Sequence, residues 1–304
     1  MNSRAPDPRE FRLDALRVRR SFGRAASGYD AAAVLQQRVR GELLERLGLV
    51  RLVPGVVLDL GAGTGHASIE LKRRYRPGQV IALDLAEGML REASRRQTLL
   101  RRFGRVCGDA ASLPLRDQSV DLVFSSLMLQ WCNEPDRVFA ECRRVLRSGG
   151  LLTFATFGPD TLTELRRAWA AVDGRTHVNR FIDMHDLGDA LVRAGLAEPV
   201  LDVERYTLTY AGVRELMRDL KSIGAHNANA GRPRTLTGKG TLAGLVAAYE
   251  EFRHDGRLPA TFEVVYGQAW APEMRDAQPR TRESVVPLSR IGRRSRILPN
   301  GRPE

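Results

Sequence analysis

Apolar runs alternate with amphipathic segments through residues 50–158, and this alternation constrains the fold more than any other feature. The runs VVLDLG (56–61) and QVIALDLA (79–86) are continuously apolar, which predicts strands that are buried on both faces. Apolar residues at helical spacing fill most of the segments between the runs. Strands that alternate with helices indicate right-handed βαβ units, so we expect an α/β fold with a mostly parallel, doubly wound sheet. Further strands are predicted within 104–115, 120–129 and 149–158.

The chain beyond residue 158 predicts two more strands, at 200–210 and 260–270, which bring the sheet to seven. The strand at 260–270 is expected to be an antiparallel strand at the edge of the sheet. Helical spacing of apolar residues predicts helices at 184–196, 213–224 and 241–254. We therefore expect helices on both faces of the sheet and a helical cap above one of its edges.

The domain organisation follows from these elements and from the two Arg-rich ends. We predict one domain over 21–271, with a cap formed by two insertions, 159–183 and 211–257. Residues 1–20 are expected to form a basic arm. Residues 272–304 are rich in Pro and Arg and poor in apolar residues, so a disordered tail is predicted there.

The composition is that of a water-soluble chain with an excess of basic residues. It has 48 Lys and Arg against 36 Asp and Glu, a formal net charge of +12, and much of the excess lies at the two ends. Such ends are either solvated or attracted to an acidic partner, which could be a nucleic acid or an acidic carrier protein. No apolar run reaches the roughly 18 residues of a membrane span. The three cysteines form no CxxC pair, so we expect neither disulfides nor a zinc site, and a cytoplasmic location.

A glycine-rich turn, GAGTG, follows the first predicted strand. Glycine lets the backbone approach a ligand closely, and Gly61, Gly63 and Gly65 are spaced as GxGxG. The GxGxxG spacing that holds a pyrophosphate at a helix N-terminus is absent, which weakens the case for a nicotinamide dehydrogenase. S-adenosylmethionine (SAM) has no phosphate, and its methionyl group needs only a tight turn, backbone N–H groups and a carboxylate. Asp59 is the predicted carboxylate and could receive the ammonium through the backbone or a water.

Acidic residues also end the second and third predicted strands. Asp84 lies where a carboxylate usually accepts hydrogen bonds from ribose hydroxyls. Asp109 could accept from an adenine amino group, with the N–H of Ala110 facing a ring nitrogen. Leu85 and Met89 could pack against adenine. Ligands bind open α/β sheets at the carboxyl ends of the strands, so these residues together predict a Rossmann-like, class I SAM-dependent methyltransferase.

Enzymes that methylate the amino groups of nucleobases often carry an Asn/Asp-Pro-Pro-aromatic motif after the fourth strand. The corresponding stretch here is SSLMLQW (125–131), which lacks it. The sequence therefore argues against a nucleic-acid substrate despite the basic charge. Trp131 within this stretch is interpreted as a packing residue.

Several longer stretches resemble one methyltransferase family, the malonyl-[acyl-carrier-protein] O-methyltransferases of biotin synthesis. The resemblance covers residues 20–271 and is most specific in FGPDTL and in the stretch that begins HVNRF. It departs from the family at Ala62, where many members have Cys, and both residues are small. The stretches are FGRAASGYD (22–30), VFSSLMLQWC (123–132), TFATFGPDTLTELRRAW (153–169), HVNRFIDMHDLGDALVRAGLAEPVLDVE (177–204), RDLKSIGAHN (218–227) and LPATFEVVYGQAW (258–270).

The resemblance implies an activity and a partner. The enzyme would methylate the free carboxylate of a malonyl thioester carried by acyl carrier protein, which hides the charge and allows elongation towards pimeloyl. A carboxylate is already ionised at pH 7, so it could attack the sulfonium methyl group without a general base. Catalysis would then depend on alignment and on removal of water from the nucleophile, and no metal is expected.

The predicted cap and N-terminal segment supply the candidates for positioning the substrate. They are Tyr29, His177, Asn179, Lys221 and Asn227. Asp183 is interpreted as the cap of the helix that follows it. Contacts to an acidic carrier protein are expected from Arg166, Arg167, Arg214 and Arg218.

Two alternatives remain open from the sequence. Residues 20–160 would fit a SAM-dependent O- or C-methyltransferase of another small molecule equally well. The chain could also be a non-catalytic module with the SAM-binding fold that binds nucleic acid through its basic ends.

Overall fold

The computed structural model describes residues 12–75, 78–173, 175–225, 227–229 and 238–273. Within these residues the sheet has seven strands, in the order β3-β2-β1-β4-β5-β7-β6. The strands are β1 (Val56–Leu60), β2 (Gln79–Asp84), β3 (Gly104–Cys107), β4 (Val120–Ser126), β5 (Leu146–Phe157), β6 (Ala197–Tyr210) and β7 (Leu258–Trp270).

The sheet is mostly parallel, as predicted. Strands β1 to β5 pair in parallel, whereas β7 runs antiparallel to both of its neighbours, β5 and β6. The prediction that the strand at 260–270 lies at the edge was wrong, because β7 lies inside the sheet and β6 forms the edge. The burial of the two strands agrees with this order, since most residues of β7 are buried and most of β6 are exposed or half-buried.

Helices cover both faces of the sheet. Their predicted positions in the sheet region are confirmed to within a few residues, and the side chain of Asp183 caps α8 by accepting from the backbone N–H of His185 at 2.8 Å, as predicted. The helices are α1 (Ala15–Ala25), α2 (Tyr29–Ala32), α3 (Val34–Arg46), α4 (His66–Arg74), α5 (Glu87–Arg95), α6 (Pro135–Val145), α7 (Thr163–Ala170), α8 (Met184–Arg193), α9 (Val213–Ser222) and α10 (Lys239–Glu250).

The hydrophobic core is divided by the sheet. Successive residues of a strand point to opposite faces, so Val57 packs in one cluster and Leu58 in the other. Helices α3 and α4 and the cap helices α7, α9 and α10 contribute to the first cluster. Helices α6 and α8 contribute to the second. The cap is therefore continuous with one half of the core.

The N-terminal segment from residue 12 belongs to this domain. Leu13 exchanges hydrogen bonds with the side chain of Asn133, at 2.7 and 3.0 Å. Asp14 donates its backbone N–H to the carbonyl of Ala228 at 3.0 Å and caps α1 with its side chain. Residues 12–20 of the predicted basic arm over 1–20 are therefore joined to this domain by hydrogen bonds. Residues 1–11 of that arm, and the predicted tail from residue 274, lie outside the described residues.

Candidate active site

The glycine turn after β1 is held by β2. The backbone N–H groups of Gly61 and Ala62 both donate to the carbonyl of Leu83, at 2.8 and 3.0 Å. All three glycines have positive φ, at +77° for Gly61, +54° for Gly63 and +83° for Gly65. An L side chain rarely adopts this conformation, so the turn requires glycine.

The three glycines meet different surroundings. A Cβ on Gly61 would lie 2.5 Å from the Cβ of Met128, and one on Gly65 would lie 2.7 Å from the Cβ of Ala93. A Cβ on Gly63 would meet nothing within 4 Å, because this residue faces open space. Gly61 and Gly63 line a cavity at the carboxyl ends of the strands, which we call the strand-end cavity. Gly65 does not line it and instead lets α4 approach α5.

Asp84 ends β2 at the wall of the strand-end cavity. One carboxylate oxygen accepts from the N–H of Gly63 at 2.9 Å, and the other accepts from the N–H of Ala86 at 2.8 Å. Burial raises the pKa of this carboxyl above its ordinary value, and the two backbone hydrogen bonds oppose that shift. Each oxygen keeps a lone pair for a further donor, which is what a ribose hydroxyl would supply.

The other residues predicted at the strand ends also line the strand-end cavity. Leu85, Met89, Asp109 and Ala110 all contribute to its wall. One carboxylate oxygen of Asp109 accepts from the N–H of Ala111 at 2.9 Å, which fixes the turn after β3. The structure therefore brings these residues together with Asp84 and the glycine turn, as the order of the strands implied.

Asp59 is placed differently from the prediction. It is 2% exposed, does not line the strand-end cavity and accepts a hydrogen bond from the hydroxyl of Ser68 at 2.5 Å. Burial, together with the charge of Asp84, raises the pKa of Asp59 to about 7. This carboxyl therefore ties β1 to α4 behind the glycine turn, away from the surface that a ligand would touch.

The N-terminal segment that contains Tyr29 was expected to fold over the cofactor, and it forms a wall of the strand-end cavity whose other residues were not predicted. Arg12, Ala15, Val18 and Phe22 line the cavity from this segment. The signal in the sequence was the spacing of Val18 and Phe22, four residues apart on one face of a helix. Because the segment is rich in Arg, this short apolar face was not recognised as part of a buried helix.

Asp30 holds this segment against the glycine turn. The hydroxyl of Thr64 donates to its carboxylate at 2.7 Å, and Arg96 forms an ion pair with the same carboxylate. The N-terminal segment is thus tied to two elements that surround the strand-end cavity.

A second cavity lies under the cap and shares a wall with the first. We call it the cap cavity. Both cavities are lined by Phe22, Tyr29, Leu127 and Trp131. Trp131 packs edge-on against Phe22, with ring centroids 5.1 Å apart. It is therefore both a packing residue, as the sequence suggested, and part of the wall between the two cavities. Leu127, which no sequence motif pointed to, has a φ of +53° and donates its backbone N–H to the carbonyl of Ala155 at 2.8 Å.

The lining of the cap cavity is mostly apolar. Among the described residues, no Lys or Arg contributes to it, and Asp219 is its acidic member. The carboxylate of Asp219 accepts from the hydroxyl of Tyr210 at 2.8 Å. Its other polar side chains are those of Tyr29, Gln36, Gln130, Thr161, His177, Asn179 and Asn227.

Two of the predicted substrate-positioning residues in the cap cavity are held by their neighbours. The ring of His177 stacks on Trp169 at 3.6 Å, and its Nε2 lies 2.8 Å from a carboxylate oxygen of Asp173. The amide nitrogen of Asn227 donates to the carbonyl of Thr176 at 2.7 Å.

The other two predicted residues in the cap cavity keep groups free for a ligand. Asn179 is 8% exposed, and its buried amide oxygen has no hydrogen-bond partner within the described ranges. Burial and the nearby carboxylate of Asp84 raise the pKa of Tyr29, so its hydroxyl stays protonated and can donate. Asn179 therefore offers this cavity an acceptor, its amide oxygen, and Tyr29 offers a hydroxyl donor.

Lys221, the remaining predicted substrate-positioning residue, lines neither of the two cavities. It is exposed on α9 and lines a groove on the outer surface, together with Arg218. Arg166 and Arg167, which were also expected to contact a carrier protein, make contacts within the chain. Arg166 donates to the carbonyls of Pro159 and Thr161, and the guanidinium of Arg167 lies over the ring of Phe252.

The described part of the chain contains no group of three or more His, Cys, Asp or Glu side chains that could hold a metal ion. Nor does it contain a helix that is both long and apolar enough to span a membrane.

Comparisons with known proteins agree with this geometry. The family described as "Methyltransferase domain" matches residues 58–154, which contain the glycine turn, Asp84 and Asp109. A Bacillus halodurans protein of solved structure, assigned as a methyltransferase, superposes with a TM-score of 0.55 at 19% identity. The aligned part covers 76% of this chain and 99% of that one. The fold is that of the class I SAM-dependent methyltransferases.

Two curated relatives are similar over most of their length. The malonyl-[acyl-carrier protein] O-methyltransferase of Methylovorus sp. (strain MP688) is 56% identical over 275 residues, or 88% of this chain and 93% of that protein. The protein of the same name from Laribacter hongkongensis is 57% identical over 273 residues, or 87% of this chain and 92% of that protein. This chain belongs to the family of malonyl-[acyl-carrier protein] O-methyltransferases.

Proposed function

We propose that this chain transfers a methyl group from SAM to the free carboxylate of malonyl-acyl carrier protein. The product is a malonyl methyl ester that primes pimeloyl synthesis in biotin biosynthesis. One observation carries the proposal: the strand-end cavity, walled by acidic strand ends, adjoins an apolar cap cavity through four shared residues. The names of the relatives supply the acceptor, and we place the reaction in the cytoplasm, where the three free thiols found here would stay reduced.

The strand-end cavity is the proposed site of SAM. Asp84 would accept from the ribose hydroxyls, and Asp109 from the adenine amino group. The N–H of Ala110 would face a ring nitrogen, while Leu85 and Met89 would pack against the base. The open space at Gly63 fits the methionyl end, since a side chain there would fill it. Bound SAM supplies an electrophilic methyl group, which forms a bond to the acceptor oxygen as its bond to sulfur breaks.

The cap cavity is the proposed site of the malonyl group. A carboxylate titrates near pH 4, so it enters ionised and needs no general base. The apolar lining would strip water from this nucleophile, and reaction with a sulfonium removes both charges, which favours a site of low polarity. The described lining of the cap cavity contains no Lys or Arg, so uncharged hydrogen-bond donors would hold the carboxylate.

Within the cap cavity, the roles of the polar side chains follow from their partners. We assign the hydroxyl of Tyr29 to the acceptor carboxylate or the thioester carbonyl, and the unpaired amide oxygen of Asn179 to a hydrogen-bond donor of the bound ligand. His177 and Asn227 already bond within the wall, so we assign them to shaping the cavity.

The cap cavity also supports a second candidate, methylation of another small molecule at oxygen or carbon. Its lining would admit a neutral, apolar acceptor as well as a carboxylate. The two candidates differ in their dependence on the carrier protein.

Product formation tests the proposal. Purified protein is incubated with methyl-labelled SAM and malonyl-acyl carrier protein, with succinyl-acyl carrier protein and free malonate in parallel. We expect a base-labile methyl ester on the malonyl carrier, formed much faster than on either control. Absence of the ester on the malonyl carrier would contradict the proposed function. Equal rates with free malonate would favour the small-molecule alternative.

A further inference from the structure

Two helices present rows of basic residues to one surface groove. On α1, Arg17, Arg20 and Arg24 are spaced at i, i+3 and i+7, which places them on one side of the helix. On α9, Arg218 and Lys221 are spaced at i and i+3. These five residues line the groove, which we call the basic groove.

The charges of the basic groove are available to a partner. Arg20, Arg24, Arg218 and Lys221 are exposed, and none of them forms an ion pair with a residue that the structure describes. Asp14 is the acidic residue of the described lining, and its carboxylate already accepts from the N–H at the start of α1. The groove therefore keeps a strong local excess of positive charge.

The basic groove and the cap cavity are formed by the same two segments of the chain. Phe22 of α1 lines the cap cavity, as do Leu220, Ile223 and Ala225 at the end of α9. The segments meet at Gly224, where an added Cβ would lie 3.3 Å from both the ring of Phe22 and the carbonyl of Ser21. A partner bound in the groove is thus adjacent to the walls of the cap cavity.

We propose that the basic groove is the docking surface for the acidic acyl carrier protein. The inference rests on the proposed function and adds the place where the carrier binds. Positive charge in the groove matches the negative surface of a carrier protein, and complementary charge both steers encounter and fixes orientation. Docking between α1 and α9 places the carrier next to the segments that wall the cap cavity.

Charge reversal with a matched control tests the docking surface. The groove variant carries Arg24→Glu and Arg218→Glu. The control variant carries Arg51→Glu and Arg116→Glu, two exposed residues outside the groove that also lack ion pairs in the described part of the chain. Both variants lower the formal net charge of +12 by the same four units. Affinity for malonyl-acyl carrier protein is measured on the full chain saturated with S-adenosylhomocysteine, whose own affinity reports that the variants are folded.

We expect the groove variant to bind the carrier at least about tenfold more weakly than wild type, and the control variant to stay within about twofold. A wild-type affinity in the groove variant overturns the proposal, and so does equal weakening in both variants. A milder variant, with Arg24→Gln and Arg218→Gln, should show a smaller loss, and no loss there also counts against the groove.

Two further readouts separate this inference from its alternatives. Wild-type protein that binds the carrier but forms no methyl ester would contradict the proposed function and leave the docking surface standing. Ester formation by the wild-type protein, together with wild-type carrier affinity in the groove variant, would support the proposed function and overturn the docking surface. Binding of a single-stranded RNA that is lost in the groove variant, with carrier affinity unchanged, would assign the groove to nucleic acid and overturn the proposal.

Discussion

The three glycines of one turn serve three different purposes, and substitution can tell two of them apart. Gly61 and Gly63 both have positive φ and both line the strand-end cavity. An added methyl group would meet Met128 in one case and open space in the other. Packing and ligand binding therefore make separate demands on neighbouring residues of the same turn.

We expect Gly61→Ala to destabilise the fold by roughly 2–4 kcal/mol, through backbone strain and overpacking. Gly63→Ala should cost roughly 1 kcal/mol of stability and weaken SAM binding by at least about tenfold, because its methyl group would enter the cavity. Chemical unfolding and calorimetric titration with SAM measure the two effects. If Gly61→Ala and Gly63→Ala lost SAM affinity to the same extent and were equally stable, these assignments would be contradicted.

A second prediction concerns Asp84. Asp84→Asn should weaken SAM binding by roughly tenfold to a hundredfold, since it removes the charge from two hydrogen bonds to ribose. Asp189→Asn, on an exposed face of α8, is the control and should leave the affinity unchanged. Unchanged SAM affinity in Asp84→Asn would exclude Asp84 as the ribose acceptor.

The buried carboxyl of Asp59 predicts a dependence of stability on pH. Its pKa lies near 7 in the folded chain, above its ordinary value of 3.8, so the folded state binds the extra proton. This contribution to stability is present below about pH 4 and is lost as the pH rises to about 7 and beyond.

We expect Asp59→Asn to gain stability relative to wild type as the pH rises, by roughly 3–4 kcal/mol between pH 4 and pH 8. An amide can still accept from Ser68, which keeps the contact with α4. Urea unfolding across this range measures the difference. A difference that is constant with pH would show that Asp59 is already ionised in the folded protein.

Residues differed in how well the sequence predicted them. Asp84 ends β2 and Asp109 lies two residues after β3, and both line the strand-end cavity because the carboxyl ends of parallel strands meet at one edge. Asp59 lies inside β1, where its side chain points to a face covered by α4, and the sequence does not show which face a neighbouring helix covers. The wall residues Phe22 and Leu127 come from distant parts of the chain, and the family-like stretches that contain them do not show that the two residues meet.

At the scale of elements, α1 is the part that links binding to the cap. It packs against α5 at Gly88, where an added Cβ would lie 2.7 Å from the carbonyl of Gly23. The same helix lines both cavities through Phe22. The position of α1 should therefore control access to both.

Gly88→Ala tests this role of α1. The added methyl group should push α1 away from α5, weaken SAM binding several-fold and lower amide protection over residues 15–25. Gly41→Ala in α3 meets nothing within 4 Å and should instead add roughly 0.5–1 kcal/mol of stability. Hydrogen exchange and SAM titration measure both variants, and full protection of α1 in Gly88→Ala would contradict the packing argument.

The elements themselves were largely predictable, whereas their arrangement was less so. Continuous apolar runs indicated the strands of residues 34–158, because these strands are buried on both faces, and helical spacing of apolar residues indicated the helices. The order of β6 and β7 was not predictable from alternation, which both strands show. Pairing with β5 decides it, and that contact joins residues over a hundred positions apart, as between Leu151 and Trp270.

At the scale of the whole molecule, the fold places two different environments on either side of a shared wall. The strand-end cavity has carboxylates at its rim, and the cap cavity is mostly apolar. Such a pair suits a reaction in which an anion and a cation become neutral. It predicts methylation at the carboxylate oxygen, since methylation at the malonyl carbon would need a base to remove a proton first.

The position of the transferred methyl group tests this account most directly. The chain is incubated with isotopically methyl-labelled SAM and malonyl-acyl carrier protein, and the product is examined by nuclear magnetic resonance and mass spectrometry. We predict that the label appears as an ester methyl group on the free carboxylate and is released by mild base. Label on the malonyl carbon, or no transfer to the carrier-bound acyl group, would contradict it.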